Sequence, residues 1–420
     1  MPIGGTAVPV TSRPAGAPRP AGRNAADRRA IAAVVGMQVT AAIGYYAAMG
    51  HIVAHLRDDA DLLAGTIGLV LGTRFLVQSA LQPLLGALID VLGAARAGML
   101  ACALRTASFA LLATADGPLG LFGAACLLGA GGSLYVPAVQ AIIAGMSPAH
   151  RPVGFAASLV SGQVTAVVAP LAGLAVLRGG GFGPLAAGAA LCWAITGGLF
   201  LLLHLGRRGR PEADRVSPRP GAGTGMAAGV AAVVRDRTFV RFAMATAASI
   251  LLAGETTTVV PLKNFGSNWT TVFFCVAAAA TAVVQPWCAA GSRADRPRVL
   301  QAGLLLMGAC YLALLPLDGN GDVPQVAGLM AAAVLAGAGQ GLMQSSVFQS
   351  IARYAPPERI GAYLGVSSFL SGMIVFASDP VVGALFDAGA AGVALAALTI
   401  LGPVSAMACA RPLIRLDQGR

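Results

Sequence analysis

The chain of 420 residues is unusually apolar, with 56% hydrophobic and 11% charged residues and a mean hydropathy of +0.75. A soluble protein of this size could not keep so much apolar surface away from water, so the composition excludes a soluble globular protein and indicates one embedded in lipid. The net charge of +11 comes largely from arginines that separate apolar segments, a pattern typical of membrane topology and not of a nucleic-acid-binding surface.

The chain begins with a polar tail and continues into a series of apolar segments. Residues 1–29 are rich in Pro, Gly, Ala and Arg, so we expect a disordered cytoplasmic tail there and not a cleaved signal peptide. Apolar segments of about 20 residues, the length that a membrane-spanning helix requires, then follow one another. We predict twelve spans, near residues 31–54, 64–89, 94–114, 117–145, 154–177, 183–206, 239–262, 268–290, 299–316, 325–352, 361–386 and 389–410.

A polar, basic stretch rich in Pro and Gly divides these spans into two sets of six. Such a sequence cannot be buried in lipid, so it is predicted to be a linker. The predicted domains are an N-terminal six-helix bundle at 30–206, a cytoplasmic linker at 207–237, a C-terminal six-helix bundle at 238–411 and a cytoplasmic tail at 412–420. The predicted fold class is therefore an all-α membrane protein with twelve transmembrane helices.

Positive charge is distributed unevenly between the two sides of the predicted membrane. With the N-terminus inside, most of the 28 Lys and Arg residues fall in the tails and the even-numbered loops, whereas Arg57, Arg178 and Lys263 fall outside. Because cytoplasmic loops are enriched in positive charge, we expect both termini in the cytoplasm and the chain in the inner or plasma membrane of the cell.

An internal repeat relates the two halves. The matching pairs keep their order at a separation of about half the chain: Gly86 and Asp90 with Gly291 and Asp295, Gly129 and Gly131 with Gly337 and Gly339, Pro170 with Pro380, and Gly173 with Gly383. Several collinear matches are hard to explain by chance, so we predict two parallel repeats of six helices with a substrate path between them.

The loop between predicted spans 2 and 3 carries a family resemblance. Its sequence GALIDVLGAARAG, with Gly86, Asp90, Gly93 and Arg96 in the matching places, resembles the signature of the major facilitator superfamily, and Gly291 and Asp295 repeat it more weakly. The chain is similar, within that superfamily, to the twelve-span drug:proton antiporters. The resemblance implies the major facilitator fold, with two pseudo-symmetric bundles, and gives this loop the role of a conformational switch; the alternative is a solvated turn that only fixes the topology.

The sequence departs from the antiporter pattern in two places. Span 5 has Ala169-Pro170-Leu171-Ala172-Gly173 where the pattern has Gly-Pro, two residues and Gly-Gly. Span 1 lacks the carboxylate that family members often carry. Both departures concern the direction of transport, so uptake by proton symport stays as an alternative to export.

Four charged residues lie inside predicted spans. Glu255 and Asp379 are candidate proton-binding groups, because an intramembrane carboxylate persists where it is paired, protonated or in contact with water. Arg74 and Arg105 are their candidate charge partners. From the depths of the two residues in spans 2 and 11 we hypothesise an ion pair between Arg74 and Asp379 across the two halves. The alternatives are structural. Glu255 could be protonated and bonded to a neighbouring helix, or close enough to the outer interface to contact water. Asp379 could make local hydrogen bonds before Pro380, and Arg74 could lie against carbonyls of its own half.

Uncharged polar side chains inside the spans are candidates for lining a substrate cavity, although polar residues also stitch membrane helices together. The candidates are Gln38, Tyr45, Tyr135, Gln140, Gln163 and Gln344. The glycine runs in spans 4 and 10 lack a preceding strand and a following lysine, which argues against a nucleotide site. We expect no cofactor, no metal and a monomer.

Proton-coupled export of small organic molecules by alternating access is the function that these features favour. Uptake by proton symport is the alternative within the same fold, and a non-transporting sensor or scaffold is an alternative of another class. The sequence shows no ligand cluster and no nucleophile with a base, so an enzyme is not expected.

Overall fold

The computed structural model describes residues 21–115, 117–207, 231, 233–289, 296–317, 323–354 and 360–418. The principal helices are α1 (Ala21–Met49), α2 (Ile52–Asp58), α3 (Ala64–Leu92), α4 (Ala94–Leu112), α5 (Pro118–Ala144), α6 (Arg151–Gly180), α7 (Phe182–Arg207), α8 (Arg237–Leu262), α9 (Gly266–Ala289), α10 (Pro297–Leu314), α11 (Val323–Tyr354), α12 (Ile360–Asp387) and α13 (Ala391–Gln418). Among these ranges there is no β-strand, and 12 helical segments are long and apolar enough to cross a membrane, α1 and α2 counting as one. The predicted all-α, twelve-span fold class is confirmed.

Helices extend into both segments that the sequence predicts to be tails. At the N-terminal end α1 begins at Ala21, and at the C-terminal end α13 continues to Gln418. Asp27 gives one physical reason for the longer first helix, because its buried carboxylate accepts a hydrogen bond of 3.3 Å from the backbone N–H of Ser147 and lies 3.4 Å from His150. Most of the predicted linker at 207–237 falls outside the described residues.

The two halves pack their helices in the same way. In the first half α4 packs on α5 and α7, α3 on α5, and α1 on α6 and α7. In the second half α10 packs on α11 and α13, α9 on α11, and α8 on α12 and α13. Each pair of the first half has a counterpart in the second, which gives two pseudo-symmetric six-helix bundles.

The repeated glycines make equivalent contacts in the two halves. A Cβ atom added at Gly129 would lie 2.5 Å from the carbonyl oxygen of Arg74, and one at Gly337 would lie 2.1 Å from that of Ala277. Each of these glycines therefore lets helices that correspond in the repeat approach closely. Gly131 approaches Arg105 on α4 and Gly339 approaches Met307 on α10 in the same manner. The repeat thus pairs Arg74 with Ala277 and Arg105 with Met307.

Each half has its own apolar core, and the halves meet mainly through α3 and α12, with smaller contacts of α6 with α9 and of α2 with α8. Many large apolar side chains face outward, for example Leu202 at 67% exposure and Val283 at 75%. Such a surface suits lipid and not water. We call the end of the bundle opposite residues 21 and 418 the distal end.

Candidate functional site

Four buried or half-buried charged side chains form one layer across the two halves, which we call the charged layer. The first half contributes Arg74 on α3 and Arg105 on α4, and the second half contributes Glu255 on α8 and Asp379 on α12. Counted along their helices at about 1.5 Å per residue, all four lie about 10–15 Å from the distal end. The layer is therefore positive on one side of the interface between the halves and negative on the other.

The two acids are neighbours at the negative side of this layer. Glu255 is fully buried and Asp379 is 2% exposed, and the two carboxyl groups lie within hydrogen-bonding range of each other. No described residue gives either carboxylate oxygen of Glu255 a well-aligned hydrogen bond; the Ser378 hydroxyl lies nearby but donates to the Val375 carbonyl at 3.2 Å. Two adjacent carboxylates without such donors repel each other, and a proton held between them would satisfy both. The arrangement can take up and release a proton.

The two arginines are stacked on aromatic rings at the positive side of the layer. The guanidinium carbon atoms of Arg74 and Arg105 lie 5.2 and 5.3 Å from the centroid of the Tyr45 ring. Arg105 also lies 4.5 Å from the ring of Trp193, and Arg74 lies 4.7 Å from that of Phe75. The Nε atom of each arginine is buried without a hydrogen-bond partner. Among the described residues, these two charges are therefore in contact with aromatic faces and not with carboxylates.

The hypothesised ion pair between Arg74 and Asp379 is not formed in this structure. The helices that carry them do pack together, and Arg74 is near enough to act electrostatically on Asp379. Within the described ranges, however, neither Arg74 nor Arg105 comes within 4.0 Å of a carboxylate. Arg74 turns toward the aromatic rings instead, so the pairing stays a prediction for another state of the protein.

The predicted cavity residues fall into different settings. Gln163, Gln285 and Gln344 form a chain of side-chain hydrogen bonds of 2.7 and 2.8 Å that joins α6 to α9 and α11. Tyr135 is buried, and its hydroxyl donates to the Met37 carbonyl at 3.0 Å. The remaining three are partly accessible: the Gln38 side chain lies against Gly162, Tyr45 is half-buried between the arginines, and Gln140 is exposed.

The predicted switch loop is described only in part. Gly93 ends α3 with φ +79, a backbone conformation that favours glycine, and Arg96 is exposed in the first turn of α4. Gly86 and Asp90 belong to α3. Gly291 and Asp295 lie outside the described residues. The role of this loop stays a prediction.

Three polar contacts join the halves at the distal end, and we call them the distal seal. The two carboxylate oxygens of Asp387 each accept a hydrogen bond of 2.8 Å, from the backbone N–H groups of Ala64 and Gly65 at the start of α3. Arg57 donates at 2.7 Å to the carbonyl of Leu262, the last residue of α8. The third contact runs from Arg178 to Asn268. In the first two, each charge meets the helix end of opposite sign, so the distal end is held closed.

Asp387→Ala should weaken the distal seal. Loss of a helix N-cap costs about 1 kcal/mol, so we expect closure of the distal end to become about fivefold less favourable. Distances between spin labels across the distal end would show a larger open population. Asp59→Ala is the matched control, because Asp59 bonds to His55 within its own half. An unchanged distance distribution in Asp387→Ala would show that the carboxylate does not hold the halves together.

Neither Asp387 nor Gln285 is among the residues predicted from the sequence, although both make contacts in this site. Asp387 stands in the last turn of α12, where a negative charge is unfavourable to the helix dipole, and this misfit is a signal that it has a partner elsewhere. Gln285, which links Gln163 to Gln344, carries no signal beyond being polar within a span. The described residues contain no group of three or more His, Cys, Asp or Glu side chains that could hold a metal ion.

A membrane-embedded chain of twelve spans in two repeated halves, with charges buried at the interface, defines the class of transporters with two-repeat architecture. The chain belongs to the Major Facilitator Superfamily, whose sequence model matches residues 34–378. It is therefore a multi-pass membrane transporter and not an enzyme.

Individual relatives match over part of the chain. An uncharacterised MFS-type transporter of Mycobacterium tuberculosis is 32% identical over 135 residues, 32% of each chain. The multidrug resistance protein MdtH of Yersinia pestis is 29% identical over 222 residues, 52% of each chain. The matches thus span about a third to half of the length of these relatives.

Solved structures agree over nearly the whole chain. A POT family transporter in complex with 5-aminolevulinic acid has a TM-score of 0.74 at 14% identity, covering 92% of this chain and 96% of the other. The human organic anion transporter MFSD10 has a TM-score of 0.61 at 17% identity, covering 91% and 99%. At these identities the likeness shows the fold alone, and it confirms the predicted major facilitator architecture.

Proposed function

We propose that this transporter exports small organic molecules across the cell membrane in exchange for protons, with Glu255 and Asp379 as the proton-binding pair. The observation that carries the proposal is the pair of adjacent, buried carboxyl groups, in which Glu255 has no basic partner and no well-aligned donor among the described residues. Intramembrane acids without structural partners are a mark of proton relays in transporters.

The coupling requires that the pair binds protons differently in two states of the protein. With the termini inside, the distal end faces the outside and is closed by the distal seal in this structure. A proton bound from outside would favour the state that releases substrate outward, and its departure to the cytoplasm would reset the pair. A difference in proton affinity between the two states is sufficient for this exchange.

Alternating access would act on the interface between α3 and α12. That interface is built from small residues with close backbone contact: a Cβ atom at Gly68 would lie 2.2 Å from the Asp379 carbonyl oxygen. The same interface carries Arg74 on one helix and Asp379 on the other. Separation of these helices at the distal end would therefore change the surroundings of the acid pair directly.

Export is favoured over uptake by the similarity to a multidrug resistance protein over half of the chain. Uptake by proton symport would use the same acid pair, but substrate would accumulate on the side to which protons flow. A non-transporting scaffold would need neither the acid pair nor a proton gradient. The direction of transport therefore has to be measured in a transport experiment.

The test uses purified protein in proteoliposomes and two dyes with the same cationic xanthylium ring system: rhodamine B, which also carries a carboxylate, and its ethyl ester, which does not. We expect either dye that is a substrate to accumulate when the vesicle interior is acidic, and the accumulation to vanish when an ionophore removes the pH gradient. Empty liposomes report passive movement. Accumulation only with an acidic exterior would indicate symport, and exchange without any dependence on the gradient would contradict proton coupling.

A further inference from the structure

The charged layer has two poles of opposite sign that the protein does not neutralise by ion pairs. The arginines lie in the first half, the acids lie in the second, and no ion pair of up to 4.0 Å joins them among the described residues. Phe75 lies between the poles, because its ring contacts Arg74 and also approaches α8 beside Gly254, the residue before Glu255.

The internal repeat shows that these charges are not needed for packing. The position equivalent to Arg105 is Met307 and the one equivalent to Arg74 is Ala277, and both make the corresponding helix contacts without charge. Asp379 precedes Pro380 in the second half, whereas Ala169 precedes Pro170 in the first. Each set of charges is therefore present in one half only, and the equivalent helices of the other half pack in the same way without it.

The environment of Arg105 leaves its hydrogen-bonding capacity unused. The residue is 8% exposed, and its Nε atom is buried without a partner, as is the side-chain oxygen of the neighbouring Gln78. Gly132 creates the space for both groups, because a Cβ atom there would lie 2.6 Å from an Arg105 Nη atom and 2.8 Å from that oxygen. A guanidinium with free donors beside aromatic walls suits a carboxylate or phosphate group.

We infer that the transported molecule is dipolar, with an anionic group that binds at Arg74 and Arg105 and a cationic group that binds at Glu255 and Asp379. The anionic group is a carboxylate or phosphate, and an apolar or aromatic body between the two groups would pack against Tyr45 and Phe75. This inference rests on the proposed proton exchange for its cationic half, and on the unpaired arginines for its anionic half.

Exchange of substrate for protons requires that the substrate carry a cationic group as well as an anionic one. An anion alone at the arginines would attract a proton to the nearby acids, so proton and substrate would bind together and travel together. A cationic group on the substrate instead competes with the proton for the acid pair. A dipolar substrate thus combines use of the arginines with proton exchange.

The first test probes the anionic half without knowledge of the natural substrate. Trp193 lies beside Arg105, and replacement of Trp269 and Trp287 by Phe would make it the sole fluorophore of the three Trp residues. We expect saturable quenching by iodide that the neutral quencher acrylamide does not reproduce. Arg105→Met, the residue of the repeat, should raise the iodide concentration for half-quenching about tenfold or more, as expected for loss of a charge-assisted bond.

Arg298→Gln is the matched control, since Arg298 is an exposed arginine of α10, the helix that corresponds to α4 in the second half, and lies away from the charged layer. A purely structural Arg105 would leave anion quenching at Trp193 equal in Arg105→Met and the parent protein, and that result would overturn the anionic site. Circular dichroism and gel filtration would show that both variants fold.

The second test separates dipolar from singly charged ligands. 4-(Aminomethyl)benzoate, 4-methylbenzoate and 4-methylbenzylamine share one aromatic ring, and only the first carries an ammonium and a carboxylate on opposite sides of it. We expect 4-(aminomethyl)benzoate to displace iodide at a lower concentration than either analogue, and Glu255→Gln to remove its advantage over 4-methylbenzoate. Equal displacement by 4-(aminomethyl)benzoate and 4-methylbenzoate in the parent protein would overturn the dipolar assignment, as would displacement by the amine alone.

The two proposals fail in different ways. Iodide displacement could depend on both the arginines and the acids while no protons move in proteoliposomes. That result would support the substrate class and reject proton exchange. Proton-driven transport of the rhodamine B ethyl ester, which lacks an anionic group, with equal rates in Arg105→Met would keep proton exchange and reject the substrate class.

Discussion

Glu255→Gln is expected to reduce accumulation driven by a pH gradient strongly while leaving substrate exchange across the membrane in place. The amide keeps the size and polarity of the side chain and cannot release a proton. Removal of a coupling free energy of about 1–3 kcal/mol should lower gradient-driven accumulation by a factor of about 5 to 150. The measurement is dye accumulation in proteoliposomes with an acidic interior, beside counterflow at equal pH.

Asp58→Asn is the matched control for this variant. Asp58 is an exposed acid at the end of α2, away from the charged layer, so its replacement should change neither measurement. Gradient dependence that persists in Glu255→Gln would remove Glu255 from the proton pathway and leave Asp379 as the remaining candidate of the pair.

Gly383→Ala is expected to prevent closure of the distal end. A Cβ atom at Gly383 would lie 2.1 Å from the carbonyl oxygen of Ala64 and 2.7 Å from the nitrogen of Gly65, both in the backbone of α3. These contacts lie between the halves and not within one, so the methyl group should push α3 and α12 apart without unfolding either bundle. Because turnover needs both states, we expect the transport rate to fall about tenfold or more.

Spin labels at positions 60 and 388, both exposed and on opposite sides of the distal seal, would measure the expected separation. The seven cysteines of the chain would first be replaced. Gly188→Ala is the control, because no atom lies within 4 Å of a Cβ added there. A parent-like distance in Gly383→Ala would show that α3 and α12 can shift to accommodate the methyl group, and that their close approach does not control access.

The sequence was sufficient for the fold because its strongest signals are local. Runs of apolar residues, the arginines between them and the repeated glycines predict spans, halves and close helix contacts, and each of these depends on a few neighbouring residues. The ends of α1 and α13 differ from the prediction because a helix continues into water when its backbone bonds are kept and a contact such as that of Asp27 with Ser147 holds it.

The sequence predicts which residues form the candidate site, but only some of the contacts between them. Glu255, Asp379, Arg74 and Arg105 stand out because charge inside a span is costly. Which of them meet depends on helix rotation, which the sequence does not specify: the acids lie beside each other and the arginines beside Tyr45. Gln285 and Arg178 could not be assigned for the same reason, since their partners lie on helices distant in sequence.

The bond between Asp387 and the start of α3 has a consequence for evolution. Its partners are main-chain N–H groups, which every residue except proline supplies, so substitutions at positions 64 and 65 that keep these groups leave the bond available. No compensating change is needed on the other side when one of these positions drifts. Statistical searches for co-varying positions would therefore overlook this tie between the halves, although a single aspartate maintains it.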